Sequence, residues 1–222
     1  MTIAEAKKSL LRHAYENNRG TSVAFVDESY LAPSFEISAR TRPFYLMTAY
    51  VIPVDELEVM RDELPEIVGA KYWHSTNSHR DAIGREQILK FTRYVGDGNE
   101  PLIVALQRPI APEDSDGELA RRDCWQALLP ALSGGQHCDP VSLAIFEERK
   151  FQSQRNADEM SIKHTRNADL IPRTMQVHPS SPTYEPLLWL PDVVSFALYQ
   201  SYSAVRADYA EPFAGRVIEI SS

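Results

Sequence analysis

The sequence predicts an α/β fold in which helices cover a central mixed sheet. Three observations point to it. Short apolar runs typical of strands recur along the 222 residues, segments with helical spacing separate them, and turn signals such as residues 96–99 lie between the two kinds of segment. Strands that alternate with helices form layered α/β structures. Because no repeat or linker divides the chain, we predict a single domain over residues 1–222.

The first half of the chain begins with a helix, since apolar residues recur at helical spacing until about residues 17–20. Strands are predicted at residues 22–27 and 44–52, with a loop or short strand containing Pro33 and Pro43 between them. Helical patterns follow at residues 54–68 and 80–94. The polar segment between these two helices, residues 71–77, is interpreted as a functional loop.

The second half continues the alternation, with a strand at residues 102–107, a helix at about 117–132 and a strand at 141–147. Residues 152–168 are polar but have helical character, and residues 174–178 fit a short strand. A last long helix follows Pro186. Pro191 fits best in the first turn of that helix, because a proline further inside would remove a backbone hydrogen bond.

Composition is that of a globular protein, with 43% hydrophobic and 24% charged residues. The net charge of −8 disfavours a protein that coats nucleic acid through a basic surface, but it does not exclude a nuclease, whose catalytic carboxylates add to that total. Cys124 and Cys138 lack the spacing of a zinc or redox motif and are expected to be reduced and buried. With no signal-peptide core and no membrane-length apolar span, we expect a cytoplasmic protein without a membrane partner.

Three acidic residues lie at or within apolar runs, and they are the main functional candidates: Asp27, Glu147 and Asp192. Strand alternation places Asp27 and Glu147 on the face of their apolar neighbours, and Asp192 near a helix N-terminus projects over the sheet edge. Converging carboxylates are costly unless a cation neutralises them. The pattern therefore predicts that these three residues ligate Mg²⁺ or Mn²⁺.

Two further residues are predicted to assist. Glu28 follows Asp27 on the opposite strand face and is expected to support the metal shell or to replace one of the ligands. His74 lies in the polar loop, where it would contact the scissile phosphate or move protons. Zinc is not expected, because no recognised zinc-ligand spacing surrounds His74 and His79.

Each candidate also has a simpler explanation. Asp27 would be a turn or capping residue, Asp192 a first-turn acid favoured by the helix dipole, and Glu147 part of a solvated charge cluster. Several basic residues would hold a nucleic-acid strand, but they share their segment with acids, so a solvated helix face is the alternative. The residues are Arg80, Arg149, Lys150, Arg155, Lys163 and Arg166. Tryptophans that would stack on bases are more often core residues; these are Trp73, Trp125 and Trp189.

The order of these motifs resembles domain-of-unknown-function family 3800. Residues 25–29, Phe-Val-Asp-Glu-Ser, are similar to its opening Asp-Glu-Ser signature, residues 73–75 to its His-Ser element, and residues 189–194 to a late helical stretch. Trp189, Pro191 and Glu147 stand where the family has glutamine, alanine and often aspartate. The resemblance covers most of the chain and implies a ribonuclease H-like fold and a metal-dependent nuclease or a relative of one.

Three functions are compatible with this sequence. The leading hypothesis is a divalent-metal-dependent nuclease that cleaves a phosphodiester in RNA or DNA, with Asp27, Glu28, His74, Glu147 and Asp192 as its catalytic residues. The alternative is a catalytically degenerate interaction protein in a phage-defence or toxin–antitoxin assembly, which the altered Trp189 and Pro191 favour. A small-molecule phosphohydrolase would use the same metals. Nucleic acid is the expected partner, and a protein partner or a homo-oligomer is left open.

Overall fold

The structure is a computed structural model that describes residues 3–33 and 42–222. A six-stranded mixed sheet is flanked by helices on both faces, which confirms the predicted α/β architecture. The predicted loop or short strand between Pro33 and Pro43 falls mostly on residues 34–41, outside the described residues.

The sheet has the order β5-β4-β1-β2-β3-β6. Its strands are β1 (Ser22–Leu31), β2 (Phe44–Pro53), β3 (Leu102–Gln107), β4 (Leu143–Glu147), β5 (Gln176–Ser180) and β6 (Val217–Ser221). β2 is antiparallel to both β1 and β3, whereas β4 is parallel to β1, β5 to β4, and β6 to β3. The carboxyl ends of β1 and β4 therefore meet at one edge.

Helices precede β1 and fill the connections that follow β2, β3, β4 and β5. They are α1 (Ile3–Asn17), α2 (Leu57–Val68), α3 (Ser75–Ser78), α4 (Ala82–Asp97), α5 (Glu118–Ser133), α6 (Gln152–Asn167) and α7 (Trp189–Tyr202). Local signals explain several ends. Gly69 terminates α2 with a left-handed φ of 65°, and Asp81 caps α4 by accepting a hydrogen bond from the Gly84 N–H at 2.7 Å.

Side-chain alternation divides the core into two layers, one on each face of the sheet. Val23 and Phe25 of β1 pack with residues of α2, α4 and α7, whereas Ala24 and Val26 pack with residues of α5. Because both faces are covered, β1 and β2 read as continuous apolar runs. Neighbouring residues of β1 therefore face different halves of the molecule.

Some strand boundaries differ from the predicted ones, because strand pairing and not hydrophobicity sets them. β1 runs four residues beyond the predicted end at Asp27, because its polar end pairs with β2 as far as Leu31 opposite Phe44. β5 lies two residues later than predicted. The edge strand β6 was not predicted, and α3 forms within the segment expected to be a loop.

Several residues with two predicted interpretations belong to the core. Trp73, Trp125 and Trp189 are buried, so they are packing residues and not stacking platforms. Cys124 and Cys138 are both free thiols; Cys124 is buried and Cys138 is half-buried.

Within residues 3–33 and 42–222, no helix combines the length and hydrophobicity needed to span a membrane.

Candidate carboxylate site

Asp27 and Glu147 lie side by side where two parallel strands diverge. Val26 of β1 is paired with Phe146 of β4, so the next residues along the two strands are Asp27 and Glu147. Both continue the row of Phe25 and Ile145, which face α7. β4 ends at Glu147 while β1 continues to Leu31, and this difference leaves an opening at the sheet edge.

Asp192 reaches the same place from the first turn of α7. Pro191 precedes it in that turn, as the sequence predicts. The Ser75 backbone N–H and the Ser75 hydroxyl both donate to Asp192 Oδ2, at 2.9 and 2.8 Å. Ser75 Oγ in turn accepts a hydrogen bond from Trp73 Nε1 at 3.1 Å, so a buried tryptophan fixes the serine that orients the carboxylate.

The three carboxylates interact electrostatically in every pairing. Burial and the charges of Glu28, Asp192 and Glu147 raise the pKa of Asp27. Burial, Asp192 and Glu28 raise the pKa of Glu147 to about 7. Burial also raises the pKa of Asp192, although His74 and the hydrogen bonds from Ser75 oppose the shift. The structure thus brings together three acids from distant parts of the chain, with each raising the energy of another's charge.

His74 lies next to Asp192. Its Nδ1 is 3.8 Å from Asp192 Oδ1, and the side chain is 42% exposed. That nitrogen has no hydrogen-bond partner among the described residues. A solvent-facing imidazole beside a carboxylate can contact a bound anion or exchange a proton.

Glu28 has a different environment from the other predicted residues. It lies on the α5 face, where Arg121 Nη1 is 2.5 Å from Glu28 Oε1. Arg121 also donates to both oxygens of Asp158, at 2.6 and 3.1 Å, and to the Tyr45 hydroxyl at 2.8 Å. Because β1 continues past Asp27, alternation turns the Glu28 side chain toward α5, although its charge still raises the pKa of Asp27. Its part in a metal shell stays a prediction.

The oxygen donors fit a hard cation chemically, but they do not form a closed ligand set. In the part of the chain that the structure describes, no group of three His, Cys, Asp or Glu side chains is arranged to hold a metal ion. Asp27, Glu147 and Asp192 are close enough to repel one another, and rotation of their side chains would be required to gather their oxygens around one ion. Octahedral Mg²⁺ demands such precise placement.

A cleft of about 270 Å³ opens beside Asp27 and Glu147, and Asp192 is outside its lining. It is lined by Asp27, Glu28, Glu147, Glu148, Arg149, Lys150 and Gln154. Arg149 and Lys150, two of the basic residues considered for holding a nucleic-acid strand, therefore lie at the candidate site. Arg149 is paired with Glu118, while Glu148 is paired with Lys7 at 2.5 Å.

Three residues that shape this site are not among the predicted site residues. Ser75 is adjacent to His74 in the predicted functional loop, so its position was a signal for a role. Tyr72 lies in the same loop, and the charges of Glu147 and Asp192 contribute to its raised pKa after burial. Arg121 had no signal, because one arginine in a charged helix resembles any solvated side chain.

A comparison of the chain with family models, curated proteins and solved structures finds no match. The resemblance to family 3800 therefore depends on the quoted residues alone.

Proposed function

We propose that this protein is a divalent-metal-dependent nuclease that hydrolyses phosphodiester bonds in RNA or DNA. The observation that carries this proposal is the placement of Asp27 and Glu147 where the pairing of two adjacent parallel strands ends, with Asp192 in the first turn of α7 close enough that the charges of Asp192 and Glu147 raise the pKa of Asp27. Groups with perturbed pKa values that converge at a cleft are typical of functional sites. The resemblance to family 3800 and the mixed sheet with adjacent strand-end acids support a ribonuclease H-like fold.

Asp27, Glu147 and Asp192 would hold Mg²⁺ or Mn²⁺, which when bound supplies an activated water and neutralises charge on the leaving oxygen. The chain prepares two of these residues. Ser75 holds Asp192 Oδ2 in place, and Ser195 of α7 donates to the Asp27 carbonyl oxygen at 3.3 Å, which ties the helix to β1. His74 would contact the scissile phosphate or help to move protons.

Glu147 gives the proposed site a pH dependence. With a pKa of about 7, a large fraction of this carboxyl group is protonated near neutral pH. A ligating carboxylate must be ionised, so cation binding would release this proton. We therefore expect metal affinity to be lower at pH 6 than at pH 8.

The test combines calorimetric titration of Mn²⁺ and Mg²⁺ with cleavage of end-labelled RNA and DNA. Asp27→Asn is expected to abolish cleavage and to weaken metal binding, because it removes one charged ligand. The same change should leave the thermal midpoint unchanged or raised, since it relieves carboxylate repulsion. Asp123→Asn on α5, outside the cleft lining, is the matched control and should behave as the wild type.

Unchanged cleavage by the Asp27→Asn protein would contradict the proposal. A large fall in its thermal midpoint would instead identify Asp27 as a structural residue.

One observation favours a second candidate, the catalytically degenerate interaction protein of a phage-defence or toxin–antitoxin assembly. Trp189 and Pro191 stand where family 3800 has glutamine and alanine, and both are buried residues of α7. Such a protein would show no Mn²⁺ binding that depends on Asp27, Glu147 or Asp192. A small-molecule phosphohydrolase would bind metal but prefer nucleotides or phosphate monoesters in a substrate panel. For each of these candidates a cytoplasmic location is proposed.

A further inference from the structure

Exposed aromatic side chains concentrate at the carboxylate end of the sheet. In residues 3–33 and 42–222, the most exposed aromatic side chains are Tyr30, Tyr72 and Phe151, at 44%, 49% and 59% exposure. Tyr30 follows Asp27 in β1, Tyr72 precedes His74, and Phe151 follows Glu147. Exposed apolar residues scattered singly require no explanation. Rings that each lie within a few residues of a candidate site residue are candidates for a binding surface.

Tyr30 is accounted for by packing. Its ring stacks on that of Tyr45, with 5.3 Å between centroids and 14° between planes. Tyr72 and Phe151 remain, and they come from segments that cover opposite faces of the sheet. Tyr72 lies just before α3, which contacts α7, whereas Phe151 precedes α6, which contacts α5.

Tyr72 lies beside the carboxylate site on the α7 face. Burial of its hydroxyl and the nearby charges of Glu147 and Asp192 raise its pKa. The next residue, Trp73, is buried and anchored through its hydrogen bond to Ser75. The backbone under Tyr72 is therefore fixed while its ring is half exposed.

Phe151 is presented on an equally well-held backbone. Arg155 Nη1 donates to the carbonyl oxygens of Arg149 and Lys150, both at 2.8 Å. Arg149 is itself paired with Glu118. Lys150 lines the cleft, and its Nζ is 5.7 Å from the centre of the Phe151 ring. A cation and an exposed ring thus stand together at the rim of the cleft.

Rings and cations in this arrangement match a nucleic-acid strand whose bases are unpaired. Every base offers a face for stacking, but in a duplex those faces are covered by neighbouring base pairs. We propose that the site takes single-stranded nucleic acid, with Tyr72 and Phe151 stacking on bases on opposite sides of the carboxylate cleft and Lys150 meeting a backbone phosphate. This substrate class rests on the proposed nuclease function.

The test measures binding by fluorescence anisotropy in Mg²⁺, with the Asp27→Asn protein as the parent so that the probe is not cleaved. The probes are a labelled single-stranded RNA, the single-stranded DNA of the same sequence, and the corresponding DNA duplex. We expect at least one single strand to bind more tightly than the duplex. Adding Phe151→Ala or Tyr72→Ala should weaken single-strand binding about 5- to 100-fold, the usual effect of losing one base–aromatic stack.

Met160→Ala is the matched control, because Met160 is an apolar side chain of α6 with 72% exposure. It should leave binding unchanged, and all three added changes should leave the thermal midpoint close to that of the parent. Tighter binding of either single strand supports the proposal and identifies the preferred sugar.

Duplex binding equal to or tighter than single-strand binding would overturn this inference, as would Phe151→Ala and Tyr72→Ala proteins that bind like the Met160→Ala control. Failure of the nuclease proposal has a different signature. A wild-type protein that binds single strands through Tyr72 and Phe151 but cleaves neither RNA nor DNA would refute catalysis and leave the binding surface in place.

Discussion

Asp27 and Glu28 are consecutive residues of β1, yet their carboxylates lie in opposite electrostatic environments. On the α5 face, Glu28 meets Arg121, which also binds Asp158 and Tyr45. On the α7 face, Asp27 lies near Asp192 and Glu147, and after burial the charges of Glu28, Asp192 and Glu147 raise its pKa. One residue along the strand therefore separates an acid with its own cation from an acid whose charge is opposed by its acidic neighbours, Glu28 included.

This difference separates a residue of β1 that supports folding, Glu28, from one that is a candidate for function, Asp27. The Arg121 network satisfies its buried charges internally, so its disruption should mainly affect folding. The carboxylate site brings like charges together, which lowers stability and is typical of places where a ligand or a reaction requires it. Changes on the two faces of β1 should therefore have opposite effects on stability.

The largest expected effect is that of Arg121→Ala. Arg121 is 3% exposed and Asp158 2%, so removal of the guanidinium leaves a buried carboxylate without its cation. Breaking a buried ion pair in this way typically costs about 3–5 kcal/mol. Urea denaturation at pH 7 should show this loss in the free energy of unfolding.

Arg122→Ala is the control for this change, since Arg122 is the next residue of α5 and its side chain is 49% exposed. It should alter the free energy of unfolding by less than about 0.5 kcal/mol. Equal stability of the two variants would show that the Arg121 network does not hold the α5 face together.

Ser75→Ala should have an intermediate effect. It removes one of the two hydrogen bonds to Asp192 Oδ2 and leaves Trp73 Nε1 without its acceptor. Loss of a hydrogen bond to a charged group costs roughly 2 kcal/mol, measurable in the same urea series. The pKa of Asp192 should also rise further, because the Ser75 hydroxyl favours the ionised form.

Ser78→Ala, at the other end of α3, provides the comparison. If Ser75→Ala were no less stable than Ser78→Ala, Ser75 would not be the residue that orients Asp192.

The smallest expected effect has the opposite sign. The pKa of Glu147 is raised in the folded protein to about 7, so the folded state binds this proton more tightly than the unfolded state. The cost of ionising Glu147 in the folded protein is absent below the ordinary pKa of 4.5. It lowers the free energy of unfolding progressively as the pH rises from 4.5 to about 7. Glu147→Gln should therefore gain on the order of 1 kcal/mol at pH 8 after allowance for solvent screening, and little at pH 4.5.

The measurement is the free energy of unfolding from pH 4.5 to pH 8, where the Glu147→Gln protein should lose less stability than the wild type. Glu148→Gln is the control, because Glu148 is paired with Lys7 and should gain nothing from neutralisation. A pH profile of the Glu147→Gln protein that coincides with that of the wild type would exclude the proposed charge repulsion.

Much of this architecture could be predicted because local chemistry dictates it. Continuous apolar runs gave β2 and β3 within a residue of their bounds, and Pro191 correctly marked the first turn of α7. Alternation along β1 and β4 also placed Asp27 and Glu147 on one face. The end of β1, the edge strand β6 and the helix α3 were not predicted, because pairing with distant segments determines them.

The sequence by itself determined which apolar runs form the core strands, that Pro191 lies in the first turn of α7, and that acids stand at the borders of apolar runs. Only the tertiary structure decided which of those acids meet. Register between β1 and β4 and the packing of α7 bring Asp27, Glu147 and Asp192 together, and Arg121 draws Glu28 to the other face. Electrostatic energy depends on distance through space, and separation along the chain does not specify that distance.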